Sequence, residues 1–143
     1  MQTKLAHMQI NVRPANLPFY RDLLAFLGWQ VIFDGTLPEP VNQEMLGVGD
    51  ATGASLWFIT EVKEVANDYD GPGLNHLAIG APTTADVDAT AAYLRARGVE
   101  LLFGTPQHRP EFAQGADQTY YQVMFASPDR LLLEVVYTGP KAA

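Results

Sequence analysis

The sequence contains two segments that follow one pattern, and each segment begins with a histidine. His7 opens the first segment and His76 opens the second, and each is followed by an apolar-periodic stretch that ends at a glycine, Gly28 or Gly98. The histidine precedes the glycine by 21 residues in the first segment and by 22 in the second. Because a repeated pattern of apolar positions must be buried in the same way each time, the chain is predicted to fold as two similar halves.

Each half is predicted to have the element order β-α-β-β-β. Alternation and helical spacing give the first half strands at 5–12, 29–33, 44–48 and 55–60 and a helix at 17–27, with Asn16 as N-cap and Gly28 as the stop. The second half follows a polar linker at 67–73, with strands at 76–80, 99–103, 119–126 and 131–137 and a helix at 84–97. His108 is assigned to a loop between Pro106 and Pro110.

Composition limits the classes of partner. The chain has 143 residues, no cysteine, nine Lys and Arg residues and a net charge of −7. One soluble domain is expected at this length, and nucleic acid is not an expected partner, because phosphate neutralisation needs clustered basic residues. A polar start and the lack of a long apolar run predict a cytoplasmic protein that does not bind membranes. Small molecules or a second copy of the chain are the expected partners.

Four segments of the chain resemble the vicinal oxygen chelate superfamily, which includes glyoxalase I, extradiol dioxygenases, fosfomycin-resistance proteins and bleomycin-binding proteins. They are the opening strand with His7 and the segments at 19–29, 74–79 and 127–136. The resemblance covers residues 1–143 as a single domain, with modules at about 5–66 and 74–138. It implies an α+β fold in which two tandem βαβββ modules form a curved mixed-sheet half-barrel with an enclosed cavity. It also implies a homodimer.

The resemblance implies a metal site on the first and last strands of each module. Those positions are His7, a residue near Trp57, His76 and Glu134. Because Trp57 cannot bind a metal, the set is similar to the arrangement of two histidines and one carboxylate in extradiol dioxygenases and fosfomycin-resistance enzymes. Such a set suits a divalent ion (Fe, Mn, Zn or Ni) and leaves coordination positions open for water and an oxygen substrate.

Glu134 is also unusual without the resemblance, because it interrupts an apolar run, and a buried carboxylate is costly unless it is paired. Strand alternation places Glu134 on the same face as Leu132 and Val136. This face could instead line a solvated cavity, or Glu134 could pair with a basic residue such as Arg13 or Arg21. Each histidine could likewise be a hydrogen-bonded core residue.

Further residues are candidates for catalysis or for the substrate pocket. His108 could act as an acid or base, although a loop histidine is more often solvated. One of Tyr120 and Tyr121 must face the concave side of the sheet, where it could donate to a substrate oxygen or simply pack in the core. Trp57 and Phe103 could line an aromatic cavity or could pack in the core. Trp57 would place an apolar wall where relatives have a fourth ligand, which favours a planar or apolar substrate group.

Two residues of the first module complete the predicted pocket. Glutathione-using relatives carry a basic residue four positions after the first ligand, where this chain has Asn11, with Arg13 two positions further on. Glutathione is therefore not the expected substrate. Fosfomycin-resistance relatives carry basic residues in the segment after the last ligand, where this chain has only Lys141, so the resemblance does not favour phosphonate either.

The sequence thus predicts a metal-dependent lyase, isomerase or dioxygenase whose ion chelates the vicinal oxygens of a small substrate. A second prediction is a metal-free protein of the bleomycin-resistance type that binds or sequesters small molecules. Metal content distinguishes the two.

Overall fold

The computed structural model describes residues 1–60, 63–65 and 67–141. The chain divides into two compact units, Met1–Val65 and Ala66–Ala143. The strands of the first unit are β1 (His7–Asn11), β2 (Gln30–Thr36), β3 (Glu44–Gly49) and β4 (Ser55–Ile59), and its helix is α1 (Leu17–Phe26). The strands of the second unit are β5 (His76–Gly80), β6 (Leu101–His108), β7 (Gln118–Ala126) and β8 (Leu132–Pro140), and its helix is α2 (Thr84–Ala96).

The two units share one sheet topology. The first sheet has the order β1-β4-β3-β2 and the second has the equivalent order β5-β8-β7-β6. In each sheet, the first strand pairs in parallel with the last, and the other pairs are antiparallel. The predicted class of two repeated α+β modules with mixed sheets is confirmed.

The core of the first unit lies between α1 and one face of its sheet. Helical spacing places Tyr20, Leu23 and Leu24 on one side of α1, where all three are buried. The ring of Tyr20 stacks on Phe58 of β4 at a centroid distance of 4.5 Å. A short 3-10 helix at Pro14–Asn16 leads directly into α1, so Asn16 has helical dihedral angles and its side chain makes no capping hydrogen bond. Asn16 therefore lies at the predicted N-cap position but does not cap the helix with its side chain.

The core of the second unit has the same construction. The buried side of α2 consists of Val87, Thr90, Ala91 and Leu94. Thr83 caps α2 by accepting a hydrogen bond from the backbone N–H of Asp86. Because side chains alternate along a strand, one row of side chains on β7 and β8 faces this helix, and the other row faces a cavity.

Strand β6 is longer than its apolar pattern predicts. The sequence places a loop after residue 103, but β6 continues to His108 across a bulge between Leu102 and Gln107. Thr105 holds the bulge in place, since its hydroxyl donates to the carbonyl of Leu102 at 2.8 Å and accepts from the backbone N–H of Met124 at 2.9 Å. His108 consequently lies at the end of a strand. In the described part of the chain, no helix is long and apolar enough to cross a membrane.

Candidate functional site

Glu134 is the centre of the candidate site. Its side chain is 1% exposed, and both carboxylate oxygens have partners in the second unit. The Oε2 atom lies 3.0 Å from Nε2 of His76, and the Oε1 atom accepts a hydrogen bond of 2.7 Å from the hydroxyl of Tyr120. The basic residues considered as alternative partners bind elsewhere, Arg13 to Glu64 and Arg21 to Asp34.

These groups lie in a cavity of about 510 Å³ within the second unit. Glu134 and Leu132 reach it from one face of β8, as strand alternation predicts, and Tyr120 reaches it from β7. The full lining comprises Tyr69, Asp70, Asn75, His76, Phe103, Arg109, Phe112, Tyr120, Gln122, Met124, Leu132 and Glu134. The buried carboxylate thus opens onto a space large enough for a small ligand.

The orientation of the His76 ring is set by its neighbour in sequence. The Nδ2 group of Asn75 donates to the carbonyl of Tyr69 at 2.7 Å, which turns the Oδ1 atom of Asn75 toward His76. This oxygen lies 2.8 Å from Nδ1 of His76. Because an amide oxygen only accepts hydrogen bonds, Nδ1 carries the proton, and a neutral ring then presents a lone pair at Nε2.

That lone pair faces a second acceptor, the carboxylate of Glu134. Two acceptors 3.0 Å apart repel each other unless a positive charge lies between them, supplied by a proton or by a metal ion. A neutral imidazole nitrogen and a carboxylate oxygen are also donors that divalent transition metals accept. The residues present therefore fit a metal ion.

Tyr120 contributes a protonated hydroxyl to this cluster. Burial raises its pKa to about 12, and the hydrogen bond to the Glu134 carboxylate acts in the same direction. Tyr120 therefore stays a neutral hydrogen-bond donor across the physiological pH range.

His108 and Tyr121 lie on the other face of the second sheet. They line a separate cavity of about 550 Å³, in which their rings are in contact at a centroid distance of 4.5 Å. The Nδ1 atom of His108 is 2.7 Å from the Thr119 hydroxyl, and Tyr121 donates to Asp88 of α2 at 2.7 Å. The structure therefore does not bring His108 or Tyr121 to His76 and Glu134.

The remaining predicted site residues lie in the first unit. His7 and Asn11 are exposed on β1, and Arg13 binds Glu64 at 3.1 Å. Trp57 of β4 lies across from Gly47 of β3, and its indole nitrogen donates to the Ser55 hydroxyl at 3.0 Å.

A metal site within one described chain is incomplete. Among residues 1–60, 63–65 and 67–141, no group of three or more His, Asp or Glu side chains is close enough together to hold a metal. His76 and Glu134 form a two-residue pair, and the assignment of His7 as a ligand stays a prediction.

Asn75, Arg109 and Gln122 line the cavity but were not among the predicted site residues. Asn75 orients His76, Arg109 brings a guanidinium group to the cavity, and Gln122 brings a buried amide. Asn75 precedes the histidine directly, and Gln122 lies two residues after Tyr120 on the same strand face, so both positions carried a detectable pattern.

The fold and site can be compared with known proteins. The family model of the glyoxalase/bleomycin resistance protein/dioxygenase superfamily matches residues 4–135. The chain belongs to this superfamily, as the sequence resemblance implies. None of the curated proteins matches the sequence significantly.

Several solved structures share the fold. A candidate glyoxalase from Bacillus halodurans is 25% identical, with 95% of this chain and 96% of that chain covered and a TM-score of 0.73. A glyoxylase/bleomycin resistance protein/dioxygenase domain from Frankia sp. EAN1pec is 17% identical, with coverage of 97% and 94% and a TM-score of 0.70. The fosfomycin resistance protein FosX from Listeria monocytogenes, complexed with Mn(II) and sulfate, is 18% identical, with coverage of 96% and 93% and a TM-score of 0.65.

Proposed function

We propose that this protein is a metal-dependent enzyme that acts on a small substrate with vicinal oxygens, as a lyase, isomerase or dioxygenase. The observation that carries this proposal is the contact between His76 and Glu134. The contact of Nδ1 with Asn75 orients the His76 ring so that Nε2 faces the buried carboxylate, and a divalent cation between the two would bind both atoms and neutralise the carboxylate. The proposed ion is Fe, Mn, Zn or Ni.

His76 and Glu134 would hold the ion, with His7 as the third ligand from the same chain or from a second copy in a homodimer. A bound ion supplies Lewis acidity, which stabilises negative charge that develops on a substrate oxygen. Tyr120 keeps one oxygen of Glu134 hydrogen-bonded, and Asn75 keeps the His76 ring in one tautomer.

Two further observations support the proposal. FosX from Listeria monocytogenes, which shares the fold, holds Mn(II), so this architecture accommodates a divalent ion. The lack of cysteine is consistent with a metal site of histidine and carboxylate and with the proposed cytoplasmic location.

A metal-free binding protein is the second candidate. In this alternative, a protonated His76 forms a buried ion pair with Glu134, and the cavity holds an apolar or planar compound. The exposed aromatic rings of Phe103 and Phe112 at the cavity favour this reading. The two candidates differ in whether the pair binds a metal or a proton.

Metal binding tests the proposal directly. A calorimetric titration of chelator-treated protein with Mn(II) or Zn(II) should give a stoichiometry of one ion per site. His76→Ala and Glu134→Gln should each abolish binding, whereas His108→Ala, on the opposite sheet face, should leave it unchanged. Absence of binding in the unmodified protein would favour the metal-free alternative.

A further inference from the structure

The second sheet has a further cavity on the face that packs against α2. Strand β7 has nine residues and α2 has 13, so the strand is about 30 Å long and the helix only about 20 Å. Alternation places Phe125, Val123, Tyr121 and Thr119 in one row on this face of β7. Asp88, in the second turn of α2, already contacts Tyr121, so about one helical turn remains to cover the rest of the row. A cavity of about 550 Å³ lies at this end.

Two aromatic rings in contact form one wall of this cavity. The rings of His108 and Tyr121, which are paired across β6 and β7, have a centroid distance of 4.5 Å and an interplanar angle of 40°. The Nδ1 atom of His108 lies 2.7 Å from the buried hydroxyl of Thr119, which fixes the imidazole ring. The wall therefore offers aromatic faces in fixed positions, to which a flat group or a cation can bind.

The hydroxyl of Tyr121 holds a carboxylate beside this wall. It donates to the Oδ1 atom of Asp88 at 2.7 Å. Within residues 1–60, 63–65 and 67–141, the Asp88 side chain has no other hydrogen-bond or ion-pair partner. Because a carboxylate has about four lone-pair positions, about three of them are free to accept hydrogen bonds from a ligand.

The lysine that lines this cavity lies toward its other end. The backbone N–H of Lys141 donates to the carbonyl of Asp117 at 2.9 Å, which places Lys141 beyond the first residue of β7. Tyr121 is about 10 Å further along the strand. The ammonium group of Lys141 donates to the carbonyl of Ala116 at 2.7 Å. The end of the cavity at Asp88 therefore carries a negative charge, and the net charge of −7 also favours the approach of a cation.

We propose that this cavity is a second ligand site, which binds a planar organic cation of the amidinium or guanidinium type. The N–H groups of the cation pair with the free positions of the Asp88 carboxylate, and its flat face packs against the rings of His108 and Tyr121. One ligand can make both contacts, because the Tyr121 hydroxyl is in direct contact with the carboxylate. The cavity lies on the opposite sheet face from Glu134, so this inference goes beyond the proposed function and does not depend on it.

Calorimetry with three probes of similar size tests the ligand class. Benzamidine carries a planar cation, benzamide is its neutral analogue, and benzoate carries a negative charge. Benzamidine should bind at least about fivefold more tightly than benzamide, the effect of a partly exposed charged pair, and benzoate should bind more weakly than both. Absence of benzamidine binding, equal affinity for benzamidine and benzamide, or tighter binding of benzoate would overturn the inference.

Asp88→Asn tests the carboxylate, and Glu100→Gln is its matched control. Both residues are exposed and belong to the second unit, but only Asp88 lines the cavity. Asp88→Asn should remove the preference for benzamidine over benzamide, whereas Glu100→Gln removes the same charge and should keep the preference. An equal loss in both variants would show that the overall charge of the protein attracts the cation, which would refute a site at Asp88.

Two further variants test where the cation binds. His108→Ala should weaken the binding of both benzamidine and benzamide about threefold or more, because it removes an aromatic face that either probe can contact. Glu134→Gln should leave benzamidine binding unchanged, because Glu134 lines the other cavity. Unchanged binding in His108→Ala would refute the assignment to this cavity. Loss of benzamidine binding in Glu134→Gln but not in Asp88→Asn would also refute it and would place the cation beside Glu134.

Discussion

The Nε2 atom of His76 and the Oε2 atom of Glu134 lie 3.0 Å apart, and the opposite side of the His76 ring contacts the amide oxygen of Asn75. Both ring nitrogens therefore face oxygen acceptors. The Asn75–His76 sequence therefore orients one ring nitrogen of His76 toward a carboxylate on a different strand.

Asn75 is predicted to set the metal affinity through His76. Asn75→Leu removes the acceptor at Nδ1 and should weaken Mn(II) binding about 10–100-fold, the usual cost of losing a partner of a ligating histidine. Asn75→Asp retains an acceptor and should bind metal more tightly than Asn75→Leu. Calorimetric Mn(II) titration of both variants checks this, and equal affinities would contradict the orienting role.

His7 is predicted to complete the metal site. His7→Ala and His76→Ala should each abolish Mn(II) binding. If His7 comes from a second copy, a mixture of the two variants should regain binding, because some mixed dimers contain one intact site. If the mixture does not bind Mn(II) although dimers still form, His7 and His76 of one site belong to the same chain. Metal binding by His7→Ala at the unmodified level would show that His7 is not a ligand.

The pair of Arg21 and Asp34 should make stability depend on pH in acid. Two hydrogen bonds of 2.7 Å join the side chains, and the bond from Arg21 lowers the pKa of Asp34 below its ordinary 3.8. Since the folded-state pKa is lowered, this stabilisation is present above about pH 4 and is lost as the pH falls through the folded-state value. Its size should be at most about 1 kcal/mol, because both groups are partly exposed.

Urea denaturation at several pH values measures this effect. Asp34→Asn should lower the free energy of unfolding at neutral pH and match the unmodified protein in strong acid. Arg21→Gln should behave in the same way, and the double variant should lose little more than either single one. Additive losses would contradict the pairing.

Tyr121 should make stability depend on pH in alkali. Burial raises its pKa to about 12, and the hydrogen bond to Asp88 acts in the same direction. Because the folded state holds the proton more tightly, this stabilisation is present below the ordinary pKa of about 10 and is lost as the pH rises through about 12. Absorbance titration should show a late-ionising tyrosine component that Tyr121→Phe reduces. An unchanged late component would contradict the assignment.

Gly47 is predicted to be required beneath Trp57. A Cβ atom at Gly47 would lie 2.6 Å from the indole ring, so Gly47→Ala should displace Trp57 and cost about 1–3 kcal/mol. Gly35→Ala is the matched control on the adjacent strand, since the nearest atom to its Cβ is 3.9 Å away. Tryptophan fluorescence and thermal unfolding measure both effects. A Tm for Gly47→Ala equal to that of the control would show that the ring does not occupy this position.

The sequence determined the element order, the repeat and the unusual position of Glu134 within an apolar strand. Apolar periodicity is local, so each strand and helix could be located from its own residues, and Gly28 and Gly98 follow the two helices with positive φ angles. A carboxylate within an apolar strand is costly wherever it lies, so Glu134 could be recognised without knowledge of its partners.

Tertiary structure decided which side chains meet. The choice between Tyr120 and Tyr121 depends on the register of β7 against β8, and the contact of His76 with Glu134 depends on the parallel pairing of β5 with β8. The bulge that presents Phe103 begins where the predicted strand at 99–103 ends and the apolar pattern stops, and it is held by Thr105 through contacts with β7. Such pairings join residues that are distant in sequence, and local periodicity carries no information about them.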